Sequence, residues 1–522
     1  MKSPWLQFLC SNMKRIDSLI ALIKSMTKAE RKAFAVRYGE DQFDKTKLYH
    51  TLYQLIIRNT TGDSASIKCS FIKLYPASAF EITVKYLYDL LTDMLLSIET
   101  RKSILESLLS DVCKARILFE RSLNDDALEL IGSVVERAIS SRQYEVALLA
   151  QKMELEFLNV LDFPDITQEE LFKKHALRQR ILKSIGTIGE HASLYDILCH
   201  RMRHIGSIHA REELHTMSDL VMREFHTFNH GPSDKPFEQE RNHRMFQARY
   251  LMESGDVEGA FGMYASLVDL FETKGAVGTA VSASYYVSVL EGILRTLRVV
   301  NSYDRMPPFI DRLRALLHNA SSDISDNIHC IIMQYELAPL LDTGDFIACR
   351  AVCDRYRDTL IEGRHNLTPA RECELGLNLA LIELGTGNIK KAARAITSAI
   401  TMHNIKYVPL MRTVRLVRML AYYELGEMEL LHFEKRSVSR SKINFAYETE
   451  KVVLKFVSEP CPASRFLRNT AYGKLQPILE KLRKNRYEQQ LLSIFDFTAW
   501  IESKLTGKTL SEVLREKMLN KR

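Results

Sequence analysis

SGDVEGA (254–260), TGDFIAC (343–349), TGNIKKA (386–392) and LGEMELL (425–431) are four versions of one local pattern. In each, an apolar helical run stops at a glycine, a polar residue follows, and a second helix begins. Glycine ends a helix at little cost because it can take positive φ. Five residues after each glycine stand Ala260, Cys349, Ala392 and Leu431. Three of these are small, which lets two helix backbones approach closely one turn past the bend. Glycine and small residue together mark a tight αα-hairpin.

The glycines Gly255, Gly344, Gly387 and Gly426 are separated by 89, 43 and 39 residues. The first interval is about twice the others, so a degenerate turn is expected near 300. Val300-Asn301-Ser302-Tyr303-Asp304, followed by Pro307 as a helix opener, fits that gap. A period of about 40 residues indicates stacked helix pairs. The fold expected is all-α, an α-solenoid of stacked antiparallel helix pairs (tetratricopeptide-like). Poorer turn signals continue the stack backwards through helices at Ser110–Arg121, Asp126–Ser140, Tyr144–Val160, Gln168–Gly186 and Leu194–Gly206.

The rest of the chain agrees. Ile16, Leu19, Ile20 and Ile23 recur at i, i+3, i+4 and i+7, one apolar helix face. Thr27-Lys28-Ala29-Glu30 reads as a capping box opening a second helix. Further helices at Lys47–Asn59 and Phe80–Glu99 complete an N-terminal helical unit at 1–100. A repeat array follows at 101–458, and a C-terminal helical cap at 459–522. Linkers are expected at Asn59–Ser66, Asn229–Pro236 and Ser458–Ala463.

With 46% hydrophobic and 26% charged residues the composition is globular, and only 13 prolines and 21 glycines interrupt it, which favours long helices. The net charge of +7 is uneven: Glu434–Arg522 carries 19 Lys/Arg against 10 Asp/Glu, and the first hundred residues 14 against 10. Basic ends of this kind either form solvated helix faces or steer an acidic partner or nucleic acid. Nine cysteines without a CxxC suit a reduced, cytoplasmic protein. The apolar stretch Trp5–Cys10 is too short for a secretion signal, and no run is long enough to span a membrane.

Several segments resemble, in order, a family of tetratricopeptide-like helical proteins of Bacteroidota with no assigned function. They are LIKSMTKAERKAF (22–34), YLYDLLTDMLLS (86–97), YELGEMELL (423–431), YETEKVVLKFV (447–457) and FDFTAWIESKLTGKTLSEVLREK (495–517). The resemblance implies a soluble helical-repeat scaffold and brings no catalytic residues with it.

Catalytic motifs are missing from the sequence. Gly385-Thr386-Gly387 lacks the lysine and further glycine of a phosphate loop, and no Gly-x-Ser-x-Gly or HExxH occurs. Eight of the 15 histidines lie between His191 and His243. His200 and His204 share a helix face, but Arg201, Arg203 and Arg211 oppose a cation beside them. Cys349 and Cys353, flanked by Cys330 and Cys373, are explained as small packing residues. No metal or cofactor is therefore expected.

What remains is a binding surface. Arg412, Arg415 and Tyr422 lie along one stripe of the helix Val408–Glu424, with Arg418 slightly off it. Arginine and tyrosine concentrate binding energy at interfaces. The expected function is a non-enzymatic scaffold for a protein or peptide partner. The alternative is a nucleic-acid-associated regulator using its basic ends. For this, Lys68, Lys73 and Lys85 are available near Phe80–Ser97, although Glu81, Asp89 and Asp93 would repel phosphate.

Overall fold

The computed structural model describes residues 16–38, 48–59, 64–99, 103–164, 166–204, 215, 217–229, 235–273, 280–319, 322–361, 367–401, 410–440 and 447–519. The middle of the linkers expected near 60 and 232 and the side chains of Arg203, His204 and Arg211 lie outside that set, as do residues 1–15. Every regular element among the described residues is helical. Among these residues no helix is long and apolar enough to cross a membrane.

The turns are where the glycines place them. Gly255, Gly344, Gly387 and Gly426 all have φ between 73° and 81°, and Asn301 takes the same left-handed conformation at 57°. Each turn closes with the same long backbone bond: Asp256 N donates to Leu251 O at 2.9 Å, and Asp345 N to Leu340 O at 2.8 Å. At the degenerate turn Ser302 N donates to Leu297 O at 2.9 Å. These bonds satisfy carbonyls orphaned at the helix end. Ala260, Cys349 and Ala392 are fully buried one turn later. The capping box also forms, with Thr27 N donating to Glu30 Oε2 at 2.7 Å and Glu30 N to Thr27 Oγ1 at 3.2 Å.

The chain divides into two compact units, Met1–Ile185 and Gly186–Arg522. In the first, α1 (16–25) is followed by α2 (Lys28–Tyr38), α3 (Leu48–Arg58), α4 (Ser64–Ile72) and α5 (Ala77–Glu99). They enclose a core of Leu19, Ile23, Phe34, Leu52, Phe71, Phe80 and Leu87. Next come α6 (Ile104–Glu120), α7 (Asn124–Ser140) and α8 (Tyr144–Val160), with their own core around Leu108, Ile131 and Ala147. Their turns use Ser122, Arg142, Asp162 and Phe163 at positive φ, without glycine. Two separate helices were expected at 168–186 and 194–206. Instead α9 runs unbroken over Gln168–His204, because Gly186 and Gly189 stand in open space and are not at positive φ. A glycine inside a helix costs about 1 kcal/mol and does not stop it unless the backbone turns there.

The second unit continues with α10 (Ser218–Asn229), α11 (Phe237–Glu253), α12 (Val257–Thr273), α13 (Ala280–Val299), α14 (Pro307–Leu316) and α15 (Ser322–Thr343). α16 (Phe346–Arg355) pairs with α15 across the Gly344 turn, α17 (Pro369–Gly385) with α18 (Ile389–Thr401) across Gly387, and α19 (Leu410–Leu425) with α20 (Met428–Arg440) across Gly426, before α21 (Glu448–Phe456). The last stretch holds α22 (Arg465–Lys484), α23 (Gln489–Leu492), α24 (Phe497–Thr506) and α25 (Leu510–Leu519).

This C-terminal stretch does more than close the last pair. It runs back along the array, touching one turn after another. Trp500 Nε1 donates to Glu424 Oε1 at 2.9 Å beside the Gly426 turn. Ser511 Oγ donates to Gly344 O at 2.7 Å, and a Cβ on Gly344 would stand 2.9 Å from the Ser511 backbone. Gln490 Nε2 donates to Met252 O at 3.0 Å, just before the Gly255 turn. One continuous apolar core joins Leu337, Ala380, Val417 and Leu420 of the array to Phe497, Trp500, Ile501 and Leu514. The stretch from Leu479 to Leu514 thus shares the array's core.

Asp496 opens α24 and accepts from Ala499 N at 2.9 Å, with Lys517 Nζ 3.2 Å away. Burial would raise its carboxyl, but Lys517, Thr498 and the helix amide hold it below the usual range. A depressed carboxylate contributes stability that is complete above its unfolded pKa, about 3.9, and is lost as pH falls through the folded value. Acid titration followed by hydrogen exchange should therefore open α24 near pH 4 and below. In Asp496→Asn that acid-sensitive step should disappear while a constant destabilisation of about 1.5–3 kcal/mol remains, because asparagine still caps the helix but Lys517 loses a charged partner.

Candidate functional site

The stripe on α19 lies within the structure's own ion-pair network. Arg412 Nε sits 2.9 Å from Glu450 Oε1. Burial pushes the Glu450 carboxyl up, and Arg412 opposes that rise. Arg415 donates to Ser437 Oγ at 3.0 Å and approaches Glu434 at 3.8 Å. Arg418, the residue off the stripe, pairs with the other oxygen of Glu434, which is only 2% exposed. Tyr422 packs half-buried against the core. The three arginines therefore hold α19 against α20 and α21. Charge reversal at Arg415 would set a carboxylate beside Glu434, so it perturbs the fold as well as any surface.

Four of the cysteines behave as packing residues. Cys330, Cys349, Cys353 and Cys373 are buried in one core. Burial pushes the thiols up, to about 12 for Cys330 and Cys349 and to about 11 for Cys353 and Cys373. A thiol held protonated is a poor nucleophile and a poor ligand.

The histidines do converge, through a different pair. His200 is exposed near the end of α9, and nearby Arg201 grips Asp219 with both terminal nitrogens at 2.6 and 2.8 Å. His191 of α9 and His243 of α11 instead meet at Glu224 of α10. One ligand atom of each residue lies within 4.8 Å of the other two. His191 and Glu224 are buried, and the His243 side chain is 20% exposed. His243 Nδ1 makes a short contact with Glu224 Oε1, and Gln247 Nε2 donates to Glu224 Oε2 at 2.8 Å. Burial alone would raise the Glu224 carboxyl, but the two imidazoles and Gln247 bring it down to about 2. Phe228 stacks on His243 at 3.6 Å, and Lys235 Nζ stands 3.3 Å from the Phe228 ring centroid.

No i, i+4 spacing could reveal this trio, because each residue comes from a different helix. A subtler signal was present. His191 continues the apolar face of Leu194 and Leu198, Glu224 that of Leu220, and His243 that of Phe246, all in one core. A polar residue on an apolar stripe needs a buried partner.

A cavity of about 540 Å³ lies between α22–α25 and the array, lined by Arg298, Asp342, Arg483, Lys484, Asp496 and Lys517 among others. Most of its charge is paired: Arg298 with Asp342 at 2.9 Å, Arg483 with Glu502 at 3.4 Å, and Lys517 with Asp496 at 3.2 Å. Lys484 is exposed and belongs to the outer face of α22. Exposed on the same helix are Arg465, Lys474 and Lys481, none in an ion pair among the described residues, together with Phe466, Leu467 and Ile478.

No family model, no curated protein and no solved structure matches the chain.

Proposed function

We propose that this chain is a non-enzymatic helical-repeat scaffold, acting in the reducing cytoplasm, that binds an acidic segment of a protein partner. The observation that carries this reading is the outer face of α22. Among the described residues its cations have no ion-pair partner, whereas Arg412 and Arg415 do. Phe466 is 77% exposed and Leu467 55% exposed on the same helix. Unpaired charge beside apolar surface suits a partner that supplies carboxylates and a few apolar anchors.

The test uses a fluorescent peptide of alternating glutamate and leucine, and a single-stranded DNA of equal charge. The peptide should bind the wild type, and Lys474→Glu/Lys481→Glu/Lys484→Glu should weaken it at least tenfold without altering helicity. Binding should also fall steeply between 0.1 and about 0.5 M salt. Equal peptide affinity in the triple variant would sink the assignment to α22. Tighter binding of the DNA than of the peptide would favour the nucleic-acid reading instead.

A further inference from the structure

Two buried atoms around His191 are left without hydrogen-bond partners. His191 Nδ1 lies 3.4 Å from Glu224 Oε1 yet makes no hydrogen bond. Gln239 Oε1 is likewise buried and unpartnered, while Gln239 Nε2 stands 3.4 Å from His191 Nε2. If the Gln239 amide turns over, Oε1 accepts the proton of His191 Nε2. That tautomer leaves Nδ1 as a bare lone pair facing the carboxylate and His243. A lone pair facing a carboxylate is repulsive unless a cation lies between them.

We propose that His191 Nδ1, His243 Nδ1 and Glu224 Oε1 bind one divalent cation, with zinc the best match to the donor set. Metal–ligand bonds of about 2.1 Å at tetrahedral angles put donor atoms roughly 3.4 Å apart. The His191–Glu224 separation is 3.4 Å; His243 Nδ1, now in a short hydrogen-bond contact with Glu224 Oε1, swings outward as the ion replaces the proton they share. Two imidazoles and one carboxylate suit zinc and disfavour magnesium or calcium, which prefer shells of oxygen. The outer shell is also in place. Gln247 occupies Glu224 Oε2 and holds the carboxylate to one donor oxygen, and Gln239 fixes the His191 tautomer. Arg201, the described cation near the exposed histidine of α9, is neutralised by Asp219. His243 is the one partly exposed ligand, so water completes the shell on its side. The cation ties α9, α10 and α11 together at the start of the second unit.

The experiment strips the full-length, untagged protein with chelator and titrates it with zinc and, separately, cobalt(II). One equivalent of zinc should bind and raise the melting temperature. Cobalt(II) should give the visible d–d bands of a four- or five-coordinate nitrogen–oxygen site. His243→Ala changes the ligand that solvent already reaches, so the variant should keep its helicity while affinity falls at least a hundredfold. Gln239→Met should cost about 10–100-fold through the outer shell alone. Failure of the folded wild type to take up either metal would overturn the site. So would uptake by His243→Ala at wild-type affinity, which would place the metal elsewhere on the chain.

Discussion

Deleting Phe466–Arg522 should cause the second unit to unfold or aggregate, with the loss of protection beginning at the helices around Gly426. The reason lies in what the segment buries. Trp500, Phe497 and Ile501 are at most 1% exposed and pack among Val417, Leu420 and their neighbours. Trp500 also stacks edge-on against Tyr423 and Phe456, with ring centroids 5.7 Å away in each case. Truncating one such aromatic to alanine costs about 3–5 kcal/mol, comparable to a large share of a domain's net stability. Removing the whole segment also uncovers α19 and α21 and strips the turn at Gly344 of its Ser511 contact. Size-exclusion chromatography and hydrogen exchange of the 1–465 fragment should show oligomers and fast exchange through 410–457. Trp500→Ala should be the milder version, folded but melting several degrees lower. A truncated protein that stays monomeric and melts like the full chain would mean the segment is a detachable element.

How much of this was legible in the sequence depended on whether the information was local. The turns at Gly255, Gly344, Gly387 and Gly426 were readable because a left-handed residue at a helix end nearly demands glycine. Asn301 was readable from the period. The turns at Ser122, Arg142 and Asp162 have the same geometry without glycine: their places were readable from where the apolar helical runs ending at Arg121, Ser140 and Val160 stop, but their left-handed residues were not, since residues with a Cβ adopt that conformation at a cost and leave no signature. The break expected within α9 failed for the converse reason: Gly186 and Gly189 were available for a turn, but no turn was formed there. The apolar face of Phe497, Trp500 and Ile501 was plain, yet its partner was not, because the contact from Ser511 to Gly344 spans 167 positions. The Arg412–Arg415 stripe was found on one helix face, but its meaning depended on Glu434 and Glu450 from the two following helices. His191, Glu224 and His243 were hidden by the same non-locality.

Arg371→Met should destabilise the second unit by about 3–5 kcal/mol, the cost of stranding buried charge when one member of a set is removed. Arg371 lies at the start of α17, its side chain 14% exposed, between Glu291 of α13 and Glu374 one turn on. Its guanidinium donates to Glu291 and to Glu374 Oε2 at 2.7 Å, and its Nε donates to Asn327 Oδ1 at 2.9 Å. Burial raises the Glu374 carboxyl, Arg371 lowers it, and Glu291 raises it further, leaving it above the usual range even with the arginine present. A carboxyl whose folded pKa is raised gives stability that is complete below its unfolded pKa, about 4.3, and lost as pH rises through the folded value. Without Arg371 that rise is larger, so the deficit of Arg371→Met should be greater at pH 8 than at pH 5. Chemical denaturation at the two values measures it directly. Adding Glu291→Gln and Glu374→Gln to the same background should recover much of the loss and flatten the pH dependence, because no like charges are then left facing one another. A deficit below about 1 kcal/mol, equal at both pH values, would mean that water reaches and screens this cluster.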